Sequence, residues 1–184
     1  MRWLTFTIFA YVFAAADAGL ANLLQIGGVR PNLLLILGVF IGLSAAPMSL
    51  AWAMLVLGVL ADIVNSPLAG VGATVLGPSA LGFLFGGWAM LQFRGLVFRQ
   101  SAIAMGVLVF LTGIFVHLVI VATVSMRGMA WPVGEPVPGW SATDQLVHRF
   151  MELIYTAILA VPLGAILIHF EQWWGFGHGK HRAY

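Results

Sequence analysis

From Leu33 to Ser44 the chain reads LLLILGVFIGLS, a run with no charge in it. Apolar runs recur from about Trp3 to Leu24, Ser49 to Val64, Val71 to Phe93, Ser101 to Ser125 and Leu146 to Phe170, with glycine, proline and most charges in the gaps. A backbone surrounded by such side chains has no water to bond. In lipid that leaves helices or a closed barrel, and runs near 20 residues suit helices. Charged residues are 8% of the 184, against about 25% in a soluble domain. The expected fold class is an all-α integral membrane protein with six transmembrane helices. The bundle is expected over residues 1–172, with a short polar cytoplasmic tail over 173–184.

The punctuation is physical. GGVRPN breaks the chain after the first run, because glycines and an X-Pro pair interrupt helices. The run from Leu33 is short for a span, so neighbouring helices are expected to shield it, or the bilayer to thin around it. Gly77-Pro78 marks a kink or restart within the fourth segment. The stretch RGMAWPVGEPVPGWSATDQ reads as the one real loop, with Trp131 and Trp140 as interfacial anchors. Arg2, a following apolar run and AAADAG mimic a secretory signal. The apolar pattern continues through GLANLL, so an uncleaved first span is the better reading.

Six spans place both termini on one side. With the N-terminus inside, Arg2, Arg94, Arg99, Lys180 and Arg182 are cytoplasmic and Arg30, Arg127 and Arg149 external, a modest fit to the positive-inside rule. The location expected is a bacterial cytoplasmic (inner) membrane. A net charge of +2 is too small to argue for nucleic acid. The absence of cysteine excludes thiolate chemistry. Lys180 is the only lysine, so the chain has no phosphate-binding P-loop.

Ionisable groups inside a bilayer are expensive and tend to face protein or water. Asp17, Asp62, Arg149 and Glu152 are the candidates, with His117 and His169 weaker. Arg149 and Glu152 have the three-residue spacing of an intrahelical pair, favoured as an interfacial pair at the outer mouth. The histidines lack companions at ligand spacing, so no metal site and no cofactor are expected. No G-x-S-x-G motif exists, and nucleophilic catalysis has no support.

Asp62 is the oddest of these. Pro67 disfavours helix at Ser66, so the third helix ends within about a turn of a carboxylate that its dipole should repel. Ser66-Pro67 resembles an N-cap and first helical residue. Its amides, with those of Gly70 and Gly72, are expected to fold onto Asp62 as helix starts do on anions. The corner of Asp62, Ser66, Pro67 and Gly70 is thus read as structural; the alternative is a proton or cation site. Ala10, Ala14 and Ala18 form a small-residue stripe, and Gly38/Gly42 and Gly82/Gly86 form G-x-x-x-G pairs. Such patterns permit close helix approach. They indicate packing first and a partner face second.

RPNLLLILGVFIGL followed by GVLADIVNSPLAGVGA resembles the bacterial rod-shape-determining MreD family. That family has a Pro-Asp-Leu-Leu-Leu segment, a span ending in Gly-x-x-x-Asp, and a Ser-Pro-x-Gly turn. Here Pro31 and Leu33 to Leu35 match the first, with Asn32 in place of the acid. Gly58 to Asp62 match the second. Ser66 to Gly70 match the third, with one residue more before the glycine. Gln25 and Pro162 also fit. The motifs cover Gln25 to Ala73, while the layout is similar along nearly the whole chain.

The resemblance implies a non-enzymatic component of the cell-elongation machinery. It would partner an MreC-like membrane protein, the synthase formed by RodA and a class B penicillin-binding protein, and indirectly MreB. It also implies a fold resembling the six-helix substrate-binding component of energy-coupling-factor transporters. The alternative is such a component itself, a vitamin-transporter subunit docked through the alanine stripe. Against it, the loops hold few polar groups to grip a ligand.

Overall fold

The structure, a computed structural model, describes residues 2–23, 25, 27–64, 77–95, 101–128 and 142–169. Among them are six helices and no strand: α1 (Trp3–Leu23), α2 (Leu33–Ser44), α3 (Pro47–Val64), α4 (Pro78–Phe93), α5 (Ala102–Gly128) and α6 (Ala142–His169). The all-helical expectation holds. Three helices are long and apolar enough to cross a membrane, namely α3, α5 over Ala102–Met126, and α6 over Thr143–His169. The described part of the fourth segment is a helix that begins at Pro78, and Val71 to Leu76 lie outside the described residues. Gly77 has a φ of 128°, in the range that favours glycine, and Pro78 at the first helical position needs no amide partner.

The organising element is α2. Every residue from Leu33 to Leu43 is buried, on all sides of the helix. A helix apolar all round belongs inside a bundle. Its 12 residues span about 18 Å at 1.5 Å per residue, well short of a hydrocarbon core of about 30 Å. Shielding is therefore the outcome, because α2 packs against each of the other five helices. Around it, α1 lies on α3, α3 on α4, α4 on α5 and α5 on α6. Among the described residues, α1 and α6 do not pack on each other.

Missing side chains set the packing distances. A Cβ on Gly38 would lie 2.9 Å from Met54 Sδ, and one on Gly42 would lie 2.7 Å from Met90 Cγ. Both glycines of that pair thus receive methionines from α3 and α4. Gly82 and Gly86 similarly admit Ile120 and Val116 of α5. Both G-x-x-x-G pairs are spent on internal packing. Unbranched methionine side chains suit such irregular gaps.

Candidate functional site

A short buried helix leaves orphan amides and carbonyls at both ends, and here side chains from other helices meet several of them. Asn32 caps α2: its side-chain oxygen accepts the Leu35 N–H at 2.9 Å. Asp17 of α1 accepts the Leu33 N–H at 2.9 Å. The Asn32 N–H donates to Thr156 Oγ1 of α6 at 3.0 Å, and the Thr156 hydroxyl donates to the Glu152 carbonyl at 2.7 Å. At the other end, the Arg94 guanidinium donates to the Ala45 carbonyl at 2.9 Å. A carboxylate at the start and a guanidinium at the end both suit the helix dipole.

The start of α2 belongs to a wider polar cluster. Asp17, Asn32, His117 and Thr156 are buried. Glu152 lies within electrostatic reach of Arg149, Asp17 and Arg30. Arg149 Nη1 stands 3.4 Å from His117 Nδ1. A guanidinium only donates, so Nδ1 is the acceptor and the ring proton belongs on Nε2. His117 Nε2 and Arg149 Nε are buried with no hydrogen-bond partner. Arg149 therefore reaches across to α5 as well as sensing Glu152 on its own helix. Asp17 spends an oxygen on a backbone amide of α2.

Asp62 forms a second polar junction at the same end of the bundle. Its Oδ2 accepts the Gly77 N–H at 2.8 Å and the Ala80 N–H at 3.3 Å, and Oδ1 accepts the Ser79 N–H at 3.0 Å. The carboxylate thus sits on the N-terminus of α4, where a negative charge is favoured. That attraction opposes the repulsion from the end of its own helix. One turn earlier, a Cβ on Gly58 would lie 2.5 Å from Ala80 Cα and 2.8 Å from the Ser79 carbonyl oxygen. Gly58 and Asp62 form a single joint: one lets α4 approach, the other holds its amides. The amides observed on it are those of Gly77, Ser79 and Ala80. Ser66, Pro67, Gly70 and Gly72 lie outside the described residues.

Ala10 and Ala14 are buried in the chain's own core, while Ala18 is exposed. Two of the three stripe positions are consequently unavailable to a partner. Among the described residues, no group of three or more His, Asp or Glu is placed to hold a metal ion. Sequence reasoning singled out Asp17, Asp62, His117, Arg149 and Glu152 but passed over Thr156 and the capping roles of Asn32 and Arg94. An Asn directly before an apolar run is a legible cap signal; Thr156 and Arg94 act across helices and carry none. In comparison with known proteins, no family model, curated protein or solved structure matches this chain.

Proposed function

We propose that this chain is a six-span, non-enzymatic scaffold of the bacterial elongation machinery, of the MreD type. In that reading it lies in the cytoplasmic membrane with both termini inside. It partners an MreC-like protein and, through it, the synthase of RodA and a class B penicillin-binding protein, and indirectly MreB. The fold resembling a transporter's substrate-binding component belongs to the same proposal.

The observation that carries the reading is the Gly58–Asp62 joint. The residues of the Gly-x-x-x-Asp motif touch each other's targets, with Gly58 against Ser79 and Ala80 and Asp62 bonded to the same turn. The first motif supports it too. Asn32 caps α2, work that Asn and Asp do about equally well, so the departure from the family's acid leaves the local structure served. The vitamin-transporter alternative leaned on the alanine stripe, of which Ala10 and Ala14 are internal.

Affinity isolation of the tagged chain from a bacterial membrane tests the reading. A bitopic MreC-like protein and synthase subunits are expected to copurify. Recovery of an ATPase module with a bound small molecule, and no bitopic partner, would replace it with the transport reading.

A further inference from the structure

Two tryptophans stand on the outside of the α3–α4 pair, Trp52 at 53% exposure and Trp88 at 59%. Gly58 faces Ala80 and Met54 faces Gly87, so the helices run antiparallel and Trp52 and Trp88 fall at about one level. Val56 and Val59 of α3 and Phe85 and Leu81 of α4 are exposed as well, toward the Asp62 joint. The outer face is thus an apolar ladder with an indole from each helix at one end.

Depth makes the indoles unusual. Trp88 lies between Gly86 and Met90, and both of these meet Thr112 of α5. The stretch of α5 able to cross a membrane runs over Ala102–Met126, with its midpoint at Ile114. Both tryptophans therefore sit near mid-span, not at a membrane surface, where this residue is enriched. Neither indole N–H has an acceptor among the described residues. Acyl chains at that depth offer none, and a polar group left unmet in hydrocarbon is costly.

The same chemistry selects the occupant. A second copy in the same orientation would set equal levels together, indole donor against indole donor. Val56, Val59, Leu81 and Phe85 hold no side-chain acceptor, and the exposed Gln92 is one turn away from Trp88, about 6 Å along the axis. An acceptor oxygen at mid-membrane comes from a polar side chain on another helix, and tryptophans are the side chains on which interface energy concentrates.

We propose that the outer face of α3 and α4 docks a transmembrane helix of a different protein, which sets a hydroxyl or carboxamide oxygen against Trp52 and Trp88. Its apolar residues pack on the ladder. The inference stands independently of the elongation-machinery reading, which names partners but no surface.

Energy transfer in dioleoylphosphatidylcholine liposomes tests this with the purified full chain. The chain has no cysteine, so Gly95→Cys, at an exposed position with nothing within 4 Å of a Cβ, takes a single fluorescent donor. The probes are acceptor-labelled leucine–alanine helices of about 20 residues, one with a central threonine and one with leucine there. The threonine hydroxyl proton is taken by its own helix, which leaves the oxygen free to accept. The threonine helix is expected to bind saturably and at least about fivefold tighter than the leucine helix. Trp52→Phe and Trp88→Phe keep an aromatic ring and lose the N–H; each is expected to reduce that preference and the double variant to abolish it. Melting temperatures are expected to stay at the wild-type value, because both positions are exposed, and the single variants suffice should the double one not fold. Equal affinity of the two helices for the wild type, or a preference that survives in the folded variants, would overturn the proposal. Transfer between donor- and acceptor-labelled copies of the chain, lost in the same variants, would assign the face to a second copy and overturn the partner assignment.

Discussion

Asp17 Oδ1 accepts the Leu33 N–H at 2.9 Å, so a carboxylate from α1 sits on the first amide of the buried helix α2. The contact joins two facts that look unrelated in the sequence: an aspartate interrupting the first apolar run, and a run too short to cross a bilayer. A helix whose terminal residues are buried needs its end groups met from within. Asp17 meets one of them. Asp17→Ala is expected to cost about 1–3 kcal/mol, the range for a buried donor left unsatisfied. Asp17→Asn, which keeps an acceptor oxygen, should lie nearer wild type. Thermal unfolding at fixed detergent composition measures both. Equal stability of all three proteins would show that the amide finds another acceptor.

Arg94 answers the same need at the far end of α2, through the Ala45 carbonyl. Arg94→Ala is expected to lower stability by about 1.5–3 kcal/mol, the worth of a hydrogen bond to a charged group. Arg94→Lys should recover part of that. The two ends of α2 are about 18 Å apart, and sites this distant usually add. The Asp17→Ala, Arg94→Ala double variant should therefore lose the sum of the single losses within about 0.5 kcal/mol. A larger discrepancy would mean that the buried helix fails as one unit.

Gly58 and Gly19 make a matched contrast. A methyl at Gly58 meets backbone atoms of Ser79 and Ala80, which cannot rotate away, whereas nothing lies within 4 Å of one at Gly19. Gly58→Ala is expected to push α3 and α4 apart and cost about 1–3 kcal/mol, as overpacking does. Gly19→Ala, inside α1, should be neutral or stabilising by up to about 1 kcal/mol through helix propensity. Far-ultraviolet circular dichroism melts of the two variants check the ordering. A Gly58→Ala protein as stable as Gly19→Ala would remove the close approach from the joint.

Ala14 carries the test of the stripe. It is buried beside Phe6 and Ala10 in the core cluster, while Ala18 is exposed. Ala14→Leu is expected to destabilise the isolated chain by about 1–3 kcal/mol, before any partner is considered. Ala18→Leu should leave the isolated chain unchanged within about 0.5 kcal/mol. Size-exclusion profiles and melting temperatures of the purified variants separate the two. A folded, fully stable Ala14→Leu protein would return that face to the partner surface.

The apolar runs made the helices legible, because a long uncharged run has few ways to satisfy its backbone. The run from Leu33 to Ser44 matches α2 at both ends, since Asn32 caps one end and Ala46-Pro47 punctuates the other. What the runs could not show is which helix lies inside. α2 is the most uniformly apolar of the six helices, but a lipid-facing span can be apolar too, and its place is set by contacts with all five others. The site was legible as a set of costly charges, not as pairings. Arg149 and Glu152 suggested a pair by spacing, yet the contact of Arg149 with His117 spans 32 residues. The same limit hid the partners of Asp62 that lie 15 to 18 residues on, at Gly77 and Ala80.

Asp62 yields the sharpest separation between a structural and a transport role. Its carboxylate accepts three amides of the α4 start, two through Oδ2 and one through Oδ1. Asp62→Leu would strand all three, at about 1–3 kcal/mol for each that stays buried, so a loss of at least about 3 kcal/mol and a lower membrane level are expected. Asp62→Asn keeps one acceptor oxygen but turns the other into a donor facing an N–H. It should fall between wild type and Leu, with function retained in proportion to the protein that remains folded. A proton- or cation-coupled site gives the opposite pattern, in which Asn abolishes function at normal level and stability. Quantitative immunoblotting, thermal unfolding and, for the proposed elongation role, cell-shape complementation measured on the same three strains decide the matter. Full loss of function in a stably expressed Asp62→Asn protein would end the structural account of this residue.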